Sequence, residues 1–167
     1  MSNIKFYVPQ TSVVTFSYLN SSKETLQFYI TKVLNRIGET DTGITWYICS
    51  EIDLQNIQNP NRPEYIKRIE RITGVTVKPL YALTDRSKKE IYISTKTIAS
   101  APPVAFDHFT RVFTTINDFK EREKLLVLVI IDELTHILAN AGHGNARYEE
   151  QYEKYVERYF SRNRLLF

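Results

Sequence analysis

Leu125-Leu-Val-Leu-Val-Ile-Ile-Asp-Glu-Leu-Thr-His-Ile-Leu-Ala-Asn-Ala-Gly-His-Gly144 concentrates the chemical character of this chain. The first seven residues are apolar in every direction, which suits an element buried on all sides. The rest sets metal-capable groups against that apolar run, and two of the chain's three histidines, His136 and His143, fall within it. A helix over 118–141 would put Asp132 and His136 one turn apart on one face, aimed at a common point. Asp118 with Glu121 offers a capping box at its start, and Glu121-Arg-Glu-Lys124 runs into the apolar stretch without a turn residue. These features predict one helix, against which the β-branched Val and Ile residues argue for a strand.

Composition bounds the surroundings of this segment. The 167 residues suit a single domain, 1–167, with a sizeable core, and 43% hydrophobic and 13% aromatic content excludes a disordered chain. Cys49 is the single cysteine, so no internal disulfide forms and a reducing, cytoplasmic setting is expected. Leu125–Ile131 falls far short of the ~20 apolar residues that span a bilayer, and no signal pattern opens the chain, so a soluble protein without membrane contact is expected. A net charge of +3 is too modest to argue for nucleic acid by itself.

Upstream, Ile4–Val8 and Val13–Leu19 read as short strands around Pro9. Ser21 with Glu24 forms a capping box, after which Leu26, Ile30, Val33 and Ile37 recur at helical spacing until Gly38 supplies a left-handed stop. Ile44–Ser50 predicts a strand whose Trp46 packs on that helix. Pro63 suits the first turn of a short helix with Ile66, Ile69 and Ile72 along one side. Leu80–Thr84 and Glu90–Thr95 flank the polar Asp85-Arg-Ser-Lys-Lys89 and predict a β-hairpin with a five-residue loop. Val104–Phe113 reads as a short helix carrying His108, and 145–164 as a helix. In the latter, Tyr148, Tyr152, Tyr155 and Tyr159 recur at i, i+4, i+7 and i+11 between basic residues. That spacing marks one buried face, which is preferred here over an aromatic and cationic surface for nucleic acid.

Asp132-Glu133-Leu134-Thr135-His136 resembles the His-Glu-x-x-His signature of the zincin metallopeptidases, with Asp132 where that family has its first His. Ala141-Gly-His143-Gly144, followed by Tyr148, is similar to the SprT-like minimal zincins, in which a His-Gly pair and a later aromatic accompany the third ligand. The resemblance covers the second half of the chain. It implies an α+β zincin-like domain, with a small mixed sheet and an edge hairpin packed on a buried helix. It also implies zinc held by Asp132, His136 and His143, and Glu133 as general base in hydrolysis of a peptide or protein substrate. The substrate would lie extended along Ile91, Tyr92, Ile93 and Ser94. Asp132 brings a negative charge that weakens zinc as a Lewis acid, so the same fold could equally serve as a pseudoenzyme or a structural module.

Other readings of the same residues carry other chemistry. Leu125–Ile131 running into Asp132-Glu133 also resembles a Walker B strand. However, none of the five glycines begins or ends G-x-x-x-x-G-K-[ST], so a self-sufficient P-loop ATPase is excluded. Two His and a carboxylate also form the ligand set of non-haem iron oxygenases. His108 is a substitute ligand if the Pro102-Pro103 segment folds over the helix.

Overall fold

The computed structural model describes residues 1–7, 16–73, 80–102 and 116–165. Within them a four-stranded mixed sheet and six helices form an α+β fold. The strands are β1 (Asn3–Phe6), β2 (Thr45–Cys49), β3 (Ala82–Asp85) and β4 (Glu90–Ser94). The helices are α1 (Phe16–Ile37), α2 (Glu51–Gln58), α3 (Glu64–Thr73), α4 (Thr95–Ala99), α5 (Ile116–Leu138) and α6 (Ala146–Leu165). No helix among the described residues is long and apolar enough to cross a membrane.

The sheet order is β1-β2-β4-β3, parallel at the first two pairings and antiparallel at the β3–β4 hairpin. Register sets Ile4, Trp46, Ile91 and Thr84 in one row and Phe6, Ile48, Ile93 and Ala82 in another. Because side chains alternate along a strand, both rows face the same side, and most of their members are buried in the core. The row between them, Lys5, Tyr47, Tyr92 and Leu83, faces the other way, and there Tyr47 stacks on Tyr92 with centroids 4.9 Å apart. The first row matters for the site: it delivers Thr84 to the sheet edge beside α5.

Three helices supply most of the rest of the core, and α4 adds Ile98. α1 contributes Leu26, Tyr29, Ile30, Val33 and Ile37 at helical spacing. It ends at Gly38, whose φ of 73° lets the Gly38 and Glu39 N–H groups both reach the Leu34 carbonyl, at 2.9 and 3.1 Å. α5 contributes Leu126, Val127, Ile130, Ile131 and Leu134, and α6 contributes Tyr155 and Tyr159, so the regular tyrosine spacing of α6 serves packing. A polar link crosses all three. Glu123 on α5 is buried, accepts from Lys32 of α1 at 2.8 and 3.0 Å, and accepts from the Tyr159 hydroxyl of α6 at 3.3 Å.

Several sequence expectations are corrected. Leu125–Ile131 lies in helix α5, which removes the Walker B strand; tertiary burial overrides the modest strand preference of Val and Ile. Residues 16–19 of the expected strand Val13–Leu19 belong to α1, so Ser21 and Glu24 lie inside that helix and do not cap it. Asp118 likewise lies inside α5. The hairpin loop is the four residues 86–89, since Asp85 still pairs with Glu90. Asp85 also ties that loop by accepting from Ser87 Oγ at 2.7 Å and from the Lys88 N–H at 3.2 Å. The α3 helix forms, but Ile69 and Ile72 are exposed, and its buried residue is Glu70, paired with Arg62. The expected helix Val104–Phe113 lies outside the described residues.

The hairpin stands at the sheet edge as expected, but its two strands take the opposite places. β4 is flanked by β2 and β3, so the backbone of Ile91, Tyr92, Ile93 and Ser94 is paired on both sides and has no free edge for a substrate strand. The edge strand is β3. Ile91 and Ile93 are fully buried, and the interior of a sheet is where such a strand loses the most apolar surface to water.

Candidate metal centre

Asp132 and His136 sit one turn apart near the end of α5, as the i, i+4 spacing requires. The chain then reverses. Asn140 adopts a left-handed φ of 49°, the Ala141 N–H returns to the His136 carbonyl at 3.2 Å, and Gly144 takes a φ of 84°. The reversal therefore uses Asn140 and Gly144, and Gly142 has no positive φ. Asn is the residue after Gly that most readily adopts this region. Asn145 caps the next helix, its side chain accepting from the Arg147 N–H at 2.9 Å, which sets Tyr148 in the first turn of α6.

This path brings the three sequence-derived ligand candidates together. Asp132 Oδ1 lies 3.6 Å from His136 Nε2 and 3.8 Å from His143 Nε2, and the ligand atoms of all three residues lie within 4.8 Å of one another. A tetrahedral ion about 2.0–2.1 Å from each ligand needs them about 3.3 Å apart. Closing the site thus takes shifts of an ångström or so, and His143, whose side chain is 70% exposed, is free to make them.

The His136 tautomer follows from its neighbour. Its Nδ1 lies 3.0 Å from the Ala141 carbonyl oxygen, which can only accept, so Nδ1 carries a proton and Nε2 is the ring nitrogen turned toward Asp132. A backbone carbonyl on the far nitrogen of a metal-binding His is the usual outer partner that fixes ring orientation. Tyr148 adds further support. Its hydroxyl donates to Asp132 Oδ1, its ring stacks on His136 with centroids 4.7 Å apart, and it meets His143 edge-on at 4.8 Å. Burial, and then the hydrogen bond to Asp132, push the Tyr148 phenol above its ordinary range, so it stays protonated and donating.

Glu133 points toward the sheet. It is 6% exposed, and its carboxylate accepts from the hydroxyl of Thr84 on β3. Burial pushes its pKa up to about 8; the Thr84 hydrogen bond pulls the other way, and the charge of Asp132 adds to the rise. Glu133 and the three ligand candidates line one cavity of about 480 Å³, whose lining also includes Tyr81, Thr84 and Arg86. That volume lies within the usual range for ligand pockets.

Two contributors were not found by sequence reasoning. Thr84 is an ordinary strand residue with no local signal, and Tyr148 was read for its aromatic ring and its place on a core face, not for its hydroxyl. His108 lies outside the described residues. No family model matches this chain. No curated protein matches it either. Among solved structures it is similar to the solution structure of TM1509 from Thermotoga maritima at 17% identity, covering 98% of this chain and 92% of that one. The TM-score is 0.36, a likeness too loose to carry fold or chemistry from one to the other.

Proposed function

We propose that this protein is a metal-dependent peptidase of the minimal zincin type, in which Asp132, His136 and His143 hold a zinc ion and Glu133 serves as general base. The observation that carries this reading is the convergence of the three ligand atoms within 4.8 Å on a cavity that Glu133 also lines. Zinc bound there would supply a Lewis acid and acidify a bound water. Glu133 would take the proton from that water and pass it to the leaving amine, a task for which a carboxylate in a water-poor wall is suited. Thr84 holds the Glu133 carboxylate in place.

The substrate strand would lie along β3. The Ser94 N–H reaches the Tyr81 carbonyl at 3.3 Å, which makes Tyr81 and Ser94 a hydrogen-bonded pair. By the alternation of antiparallel ladders, Ala82 and Thr84 turn their backbone groups away from β4. An extended peptide added at this edge would pair with those groups while its scissile bond faced the cavity.

The test is hydrolysis of an unfolded protein substrate by the zinc-loaded chain, with zinc content measured in parallel. Glu133→Gln should retain stoichiometric zinc and lose about 10²–10⁴-fold in rate. Stoichiometric zinc with no hydrolysis by the parent would reduce the centre to a metal-binding module, and no retained zinc would end the reading.

A further inference from the structure

Tyr148 touches all three ligand candidates at once, through a hydroxyl on Asp132 Oδ1, a face on His136 and an edge against His143. It is also 4% exposed and is not among the residues that line the cavity with Glu133. Its backing is firm. Tyr152 stacks on it with centroids 5.8 Å apart and rings within 9° of parallel, and α6 in turn packs on α1 and α5.

The hydroxyl acts on the one ligand position where this chain departs from a neutral His. An ionised carboxylate donates more charge to an ion than imidazole does and swings more freely about its side-chain torsions. A hydrogen bond donated to Oδ1 draws charge from that oxygen, fixes the torsion of Asp132, and leaves the second lone pair of Oδ1 available to the ion. We infer that Tyr148 is the positioning residue of the centre: its hydroxyl orients and partly neutralises Asp132 so that a carboxylate can serve where a neutral ligand would otherwise be needed. This inference rests on the reading of Asp132, His136 and His143 as metal ligands.

The test compares the parent with Tyr148→Phe, which keeps the ring on His136 and removes only the hydroxyl. Zinc affinity is measured by competition with a chromophoric chelator, the visible spectrum is recorded with Co(II) in place of zinc, and thermal unfolding is followed in EDTA. Loss of an outer partner of a metal ligand typically weakens binding about 10–100-fold. The expected result is a Tyr148→Phe variant that is folded in EDTA, binds zinc weaker by that factor and has shifted Co(II) bands. Zinc affinity within twofold of the parent, or unchanged Co(II) bands, would overturn the role of Tyr148 while leaving the centre standing. A variant that does not fold in EDTA would make Tyr148 a residue of the fold and overturn the inference too. A parent that binds no zinc would remove both the centre and the inference.

Discussion

His143→Ala is the cleanest perturbation of the proposed centre, because the structure separates its effect on folding from its effect on metal. The His143 side chain is 70% exposed and lies 3.8 Å from Asp132, so removing it opens no core cavity. The cost to the metal-free protein should stay within about 0.5 kcal/mol, as for most surface substitutions. In the parent, free zinc at about 100 times its dissociation constant stabilises the folded state by about 2.7 kcal/mol. For a chain of this size each kcal/mol moves the unfolding midpoint by about 2–4 °C, so zinc should raise it by about 5–11 °C. If losing one of three protein ligands weakens binding about 100-fold, the same zinc concentration adds only about 0.4 kcal/mol, or roughly 1–2 °C. The assay is thermal unfolding by circular dichroism of both proteins, in EDTA and at matched free zinc. The reasoning fails if His143→Ala keeps the full zinc-dependent shift, since the third ligand would then be elsewhere, or if the parent shows no shift.

Two further outcomes follow from burial. The Glu133 pKa is raised from 4.5 to about 8 in the folded protein, so its contribution to stability is fully present below the unfolded value and is lost as pH rises through about 8. In EDTA, Glu133→Gln should therefore gain on the parent by on the order of 4 kcal/mol between about pH 5 and pH 9, measured by urea unfolding, and a pH-independent difference would refute the buried-carboxyl account. The Cys49 thiol is buried, lies 3.6 Å from the Ile93 carbonyl, and is pushed up to about 12 by burial and then by the Asp53 charge. It should be inert to a disulfide reagent near neutral pH and react stoichiometrically once the chain is unfolded; fast native-state labelling would contradict the packing of β2.

Local periodicity alone determined much of this protein. The core face of α1 and its stop at Gly38, the strand around Trp46, the β3–β4 hairpin, the one-turn spacing of Asp132 and His136, and the tyrosine face of α6 are consequences of 3.6-residue and 2-residue repeats. Covalent geometry imposes those repeats on neighbours in the chain. Helix starts were less legible, because a capping box inside a longer helix reads like one at its end, as at Ser21 and at Asp118. The helix over Leu125–Ile131 agrees with the single helix its flanking residues predict, while tertiary structure alone decided that β3 and not β4 forms the open edge, and that Glu70 is buried while Ile72 is exposed. It alone also decided that Thr84 meets Glu133 and Tyr148 meets Asp132. These are pairings between residues distant in sequence or carried on different elements, settled by which arrangement buries the most apolar surface with its polar groups satisfied, and no local pattern encodes that choice.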